Sequence, residues 1–166
     1  MRKLILTLAL SLDGSCFRRV SGTGPCAPVF LIRNTSSKAR DSRKTYEMMM
    51  GVEQPGFPGM KEYIFSTTVK TVAPGNYLVT GDIKTQVLRI KAEQGKDIWL
   101  FGGASLTTSL INLGLVDEIA LAVHPVLLGG GKPLFSGIYQ RQNLELLSCE
   151  QYNKGLVVLT YKFLET

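Results

Sequence analysis

The run Ile98-Trp99-Leu100-Phe101-Gly102-Gly103-Ala104-Ser105-Leu106 carries the residue types best suited to chemistry in this chain. Four apolar residues predict a short buried strand. Gly102 and Gly103 then turn the chain, and Ala104 to Leu113 can open as a helix. Such a turn lets a ligand approach the backbone, and the free N–H groups of a helix start face a phosphate at the positive end of the helix dipole. The pattern points to a nucleotide-bearing ligand. A tight strand-to-helix turn without any ligand uses the same residues, so the motif alone leaves both readings open.

Metal chemistry finds little support. Cys16, Cys26 and Cys149 are odd in number and lack ligand spacing, and His124 is the single histidine. Free thiols suit a reducing compartment, and a cytoplasmic location is expected. Leu4 to Leu10 behind Met1-Arg2-Lys3 fits a first strand better than a secretory leader, because Asp13-Gly14 follows with no small-residue cleavage pattern. The longest apolar runs, such as Ile119 to Val123, are far too short to span a bilayer.

Charge is uneven. Of the net +6, residues 15–42 hold +4, from Arg18, Arg19, Arg33, Lys38 and Arg40 against Asp41. Basicity confined to one stretch, with no interleaved aromatics, argues against a nucleic-acid-binding face.

The elements that must position these residues follow from periodicity. Lys3 to Ser11 suits a central strand that ends at Asp13-Gly14, and Val29 to Ile32 is a second, between Pro28 and Asn34. A helix is predicted over Lys44 to Met50, stopped by Gly51 and the Pro/Gly cluster from Pro55 to Gly59. Tyr63 to Phe65 and Tyr77 to Val79 are short strands. Ile83 to Glu93 places Ile83, Val87, Leu88 and Ile90 on one helix face. Asp97 to Phe101 is the next strand, Ser105 to Leu113 the next helix, and Asp117 to Val123 an apolar strand before His124-Pro125. Leu144 to Gln151 and Leu156 to Phe163 alternate around Asn153-Lys154-Gly155 as a hairpin. A single domain, residues 1–166, with a mixed sheet flanked by helices is expected.

Several pieces occur in order: Ser11-Leu12-Asp13-Gly14, Arg43-Lys44-Thr45-Tyr46-Glu47, Phe65-Ser66-Thr67-Thr68, Gly102-Gly103-Ala104-Ser105, and His124-Pro125-Val126-Leu127-Leu128-Gly129 with Pro133-Leu134-Phe135. The ordered set resembles the dihydrofolate reductase-like family. More narrowly, it resembles stand-alone bacterial relatives of the C-terminal reductase domain of the riboflavin-biosynthesis deaminase/reductase. The resemblance covers residues 1–14 and roughly 43–166. It implies an α/β, three-layer dihydrofolate reductase-like fold with a mixed, mostly parallel sheet and a C-terminal antiparallel hairpin. It also implies NADPH as hydride donor, a small-molecule substrate and often a homodimer.

Site roles follow from the resemblance position by position. Arg43, Lys44 and Thr45 fall where the family starts a helix under the cofactor phosphates. Ser66, Thr67 and Thr68 fall where it holds the adenosine 2′-phosphate, and Gly102, Gly103, Ala104 and Ser105 meet the pyrophosphate. No G-x-G-x-x-G fingerprint occurs, so this is not the turn of doubly wound dinucleotide folds. Asp13 sits near where nicotinamide and substrate meet, and could orient substrate or relay a proton through water. A plain Asp-Gly turn is its structural alternative. His124 before Pro125 reads as a strand-end residue and is left out of the site.

Residues 15–42 depart from the family pattern. Ser36 to Ser42 cannot make the apolar strand expected just before Arg43, and Val29 to Ile32 lies about ten residues too early for it. A reading-frame slip restored near Arg43 and a rebuilt substrate-side loop both account for this, and peptide mapping separates them. The expected activity is NADPH-dependent reduction of a pterin-like or ribosylaminopyrimidine substrate. The alternative is a cofactor-binding protein of the same fold without turnover.

Overall fold

The computed structural model describes residues 1–15, 31–34, 61–65, 71–72, 74, 76–100, 104–130 and 133–164. Its elements are β1 (Leu4–Ser11), β2 (Leu31–Asn34), β3 (Glu62–Phe65), β4 (Asn76–Val79), α1 (Ile83–Ala92), β5 (Ile98–Leu100), α2 (Ala104–Asn112), β6 (Glu118–His124), β7 (Leu144–Gln151) and β8 (Val157–Phe163). The strands form one sheet in the order β4-β3-β2-β5-β1-β6-β8-β7. β1 to β6 run parallel, while β8 pairs antiparallel with β6 and with β7. The mixed, mostly parallel α/β sheet with its terminal antiparallel hairpin is the expected fold class.

Register explains the core. Leu4 lies opposite Ile98 and Leu6 opposite Leu100, so these four side chains share one face, and all are fully buried. Ile119, in register with Leu6, extends that row. Val87 and Ile90 of α1 and Leu106, Leu110 and Ile111 of α2 pack into the same cluster, which also takes in Tyr63 and Phe65. A one-residue slip in β1 would turn its buried leucines to the other face, which is what fixes the register.

Helix α1 is well terminated. Asp82 caps it, its carboxylate accepting the Thr85 N–H at 2.8 Å and the Thr85 hydroxyl at 2.7 Å. Arg89 and Lys91 lie in the last turn, where cations complement the helix dipole. Arg2, buried in front of β1, fastens the far end. Its Nε donates to Lys96 O at 2.7 Å, and its guanidinium approaches the Glu93 carboxylate at 3.8 Å. Tyr63 of β3 donates its hydroxyl to the same Glu93 oxygen at 2.8 Å. Burial and this bond to Glu93 raise the Tyr63 pKa well above the ordinary phenol value.

The second strand is described over Leu31–Asn34, paired in parallel from Leu31↔Glu62 to Asn34↔Phe65, and Val29 and Phe30 of the expected run lie outside the described residues. In the hairpin, the alternation of β7 breaks between Leu146 and Ser148, where a bulge interrupts the register with β8. Leu144, Leu146 and Leu147 of this edge strand are all exposed. Asn153–Gly155 makes a single 3-10 turn, with Lys154 at φ +63° and Tyr152 N–H bonded to Leu156 O at 2.8 Å. The helix expected over Lys44 to Met50 lies outside the described residues.

Candidate active site at the carboxyl ends of the parallel strands

Six parallel strands deliver their carboxyl ends to one edge of the sheet. β5 sits between β2 and β1. Its described residues end at Leu100, paired with Leu6, whereas β1 continues to Ser11 paired with His124 of β6. β1 therefore runs on past the described part of β5, leaving a step there. The chain also leaves β2 towards β3 and β5 towards β6, in opposite directions across the sheet. Adjacent parallel strands whose continuations diverge leave a crevice outside their carboxyl ends, where open α/β sheets bind ligands.

Helix α2 begins beyond β5. Ala104 and Ser105 open its first turn, with three residues between Leu100 and Ala104. No acidic side chain lies in that first turn, so nothing there opposes an anion at the positive end of the helix. One turn in, Thr107 is fully buried and its hydroxyl has no hydrogen-bond partner among the described residues. The expected site residues Gly102, Gly103, Arg43, Lys44, Thr45, Ser66, Thr67 and Thr68 lie outside the described residues. In the sequence, the first two stand between β5 and α2, and Ser66 directly follows the end of β3.

Asp13 stands on the high side of the step. Gly14 donates its N–H to Ser11 O at 3.0 Å, closing a tight turn with Gly14 at φ +73°. Asp13 Oδ2 accepts the Leu128 N–H at 3.2 Å and the Gly129 N–H at 2.9 Å. Oδ1 accepts the hydroxyl of Ser11, a fully buried residue that also receives the Ser15 N–H at 3.1 Å. The Ser11 hydroxyl, helped by the Gly129 and Leu128 amides, holds the Asp13 carboxyl below the ordinary aspartate value. The group is charged at neutral pH. Its partnership with the segment after β6 was not legible in the sequence, where Asp13 and Gly129 are separated by more than a hundred residues.

A second concavity borders the carboxyl end of β4 at Val79 and Thr80. It is a cleft of about 260 Å³ between α1 and the β3–β4 edge. Tyr63 and Tyr77 stack along it with ring centroids 5.3 Å apart, and the Tyr63 hydroxyl is already committed to Glu93. Among the described residues no cluster of His, Cys, Asp and Glu could hold a metal ion. No described helix is long and apolar enough to cross a membrane.

The family model described as the RibD C-terminal domain matches residues 28–158. The chain belongs to that family. The matched span includes β2 and begins inside the stretch that departs from the expected pattern. Among curated relatives of this RibD-type domain, YyaP of Bacillus subtilis (strain 168), an uncharacterized protein, is 46% identical over 101 residues. That match covers 61% of this chain and 54% of YyaP, about half of that relative's own length. In fold, the chain is similar to a putative riboflavin biosynthesis protein from Shewanella sp. PV-4, at TM-score 0.77 and 20% identity over 98% of this chain and 99% of that one. It is also similar to dihydrofolate reductase from Enterococcus faecalis complexed with NADP(H), at TM-score 0.68 and 14% identity over 98% and 97% of the two chains. The RibD-type family and the reductase fold are thus the frame in which the crevice stands.

Proposed function

We propose that the protein is an NADPH-dependent reductase of a pterin-like or ribosylaminopyrimidine substrate, similar to 5-amino-6-(5-phosphoribosylamino)uracil reductase. The observation that carries this reading is the crevice where the adjacent parallel strands β2 and β5 diverge, beside an α2 start with no acidic side chain in its first turn. Membership of a family named for a riboflavin-biosynthesis domain supports the substrate class. A similar fold complexed with NADP(H) supports the coenzyme.

In this reading the amides at Gly102, Gly103, Ala104 and Ser105 hold the diphosphate, and the buried Thr107 hydroxyl lies one turn behind them. Arg43, Lys44 and Thr45 neutralise the neighbouring phosphate oxygens, while Ser66, Thr67 and Thr68 select the 2′-phosphate by hydroxyl and amide contacts. The bound coenzyme would supply a hydride. The chain supplies position and keeps water from the reacting carbon. The end of β1, with Asp13, borders the substrate. The protein works in the cytoplasm as a homodimer, and binds neither nucleic acid nor membrane.

Titration of Trp99 fluorescence with NADPH, paired with NADPH oxidation over pterins and 5-amino-6-(5-phosphoribosylamino)uracil, tests the proposal. Saturable quenching and turnover with one of these substrates are expected, and Gly103→Val should weaken NADPH binding by about tenfold or more. Absence of binding at millimolar NADPH would sink the oxidoreductase reading. Binding without turnover would favour a cofactor-binding protein, a variant suggested by the departure of residues 15–42 from the family pattern.

A further inference from the structure

The geometry points to Asp13 as a positioning residue: its carboxylate is the resident anion of the Leu128–Gly129 turn and fixes where the end of β1 stands. Two consecutive amides, Leu128 N–H at 3.2 Å and Gly129 N–H at 2.9 Å, converge on the single oxygen Oδ2. Consecutive backbone N–H groups pointing inwards form the concavity in which proteins hold anions. Gly129 takes φ +65°, a conformation free of steric cost only without a Cβ. A Cβ built there meets nothing within 4 Å, so the requirement is conformational and not one of space.

The remaining contacts show what is being positioned. Leu12 N–H donates to Val126 O at 2.9 Å, and Leu134 N–H donates to Gly14 O at 3.3 Å. Ser15 bridges Pro133 in antiparallel fashion. The chain leaving β1 therefore lies against both limbs of the segment that follows β6. Asp13 ties the two together just beyond the last strand pair, Ser11↔His124. Its other oxygen is taken by the buried Ser11 hydroxyl. With both oxygens engaged and its charge favoured by its donors, the carboxylate is a poor proton donor at neutral pH.

Two consequences follow. The Leu128–Gly129 turn already holds an anion of its own chain, so phosphate groups of a ligand are left to the α2 start. On the reductase reading above, Asp13 then affects turnover by holding the end of β1 and does not transfer the proton itself.

The test uses the full chain without ligand. Amide exchange at Leu128 and Gly129 is followed in wild type, Asp13→Ala and Asp13→Asn, with melting curves to verify folding. Exchange is expected about tenfold faster in Asp13→Ala, and closer to wild type in Asp13→Asn, whose carbonyl can still accept both amides. Added formate should slow exchange at these two amides in Asp13→Ala and leave wild type unaffected. Equal exchange in all three folded proteins overturns the proposal.

Turnover supplies the second readout. With NADPH and 5-amino-6-(5-phosphoribosylamino)uracil, a positioning role predicts a raised KM in Asp13→Ala, partial rescue by Asp13→Asn and an unchanged pH profile. Loss of kcat alike in both variants, with a lost limb of the pH profile, would instead make Asp13 a proton carrier and overturn the assignment. Should wild type fail to bind NADPH, the reductase reading falls while the exchange result still decides the anion role.

Discussion

Lys91 Nζ lies 2.6 Å from Asp117 Oδ2, and that same oxygen accepts the Leu4 N–H at 2.6 Å. The ammonium also donates to Leu115 O at 3.2 Å. One carboxylate thus joins the end of α1, the start of β1 and the chain entering β6. The Lys91 side chain is 7% exposed and that of Asp117 38%, so the pair is desolvated on one side only. Asp117→Ala strands a buried ammonium and frees the Leu4 amide. It should cost about 2 kcal/mol in urea unfolding, below the roughly 3–5 kcal/mol of a fully buried pair, because solvent reaches the aspartate. Lys91→Met should be markedly milder, since the remaining carboxylate can turn to water. Equal losses in the two variants would contradict the one-sided burial.

Leu6 and Leu100 are opposed in register and fully buried beneath the helices. Leu6→Ala should lower stability by about 2–5 kcal/mol, and Leu100→Ala by a similar amount. Because they share one pocket, the double variant should fall short of the sum. Denaturant midpoints of the four proteins give the coupling directly.

The Tyr63 hydroxyl bonds Glu93 at the end of α1 and is raised well above an ordinary phenol by its burial. Tyr63→Phe should cost about 1 kcal/mol, the size of one such bond. In ultraviolet titration the Tyr63 phenol should ionise only with alkaline unfolding, so folded wild type and Tyr63→Phe should give the same native-state signal and differ by one phenol once unfolded.

Asp13 is held below its unfolded value, so its contribution is present in full above the unfolded aspartate pKa and fades as pH falls through the lower native one. The Gly129 amide proton shift should accordingly be flat between about pH 5 and 8 and move only below about pH 4. A midpoint near neutrality would remove the charged carboxylate from the turn.

Much of the fold was legible in the sequence because its signals are local. The first strand, α1, β6 and the hairpin strands follow from apolar period. The pairing of the second strand with β3, a partner distant in sequence, was not legible there. The bulge between Leu146 and Ser148 was equally invisible, since alternation says nothing about register with β8. Of the expected site, Asp13 could be placed after β1 from sequence, yet both its roles there stayed open.

The chain by itself determined the order of strands and helices, the Gly102-Gly103 pair ahead of a helix and the family likeness, since each rests on residues adjacent in sequence. Only the tertiary structure decided that β2 and β5 lie side by side, and that Asp13 meets the amides of Leu128 and Gly129. Those relations depend on strand order and register. They arise when burial of Leu4, Leu6, Ile98 and Leu100 under the helices selects one pairing among many.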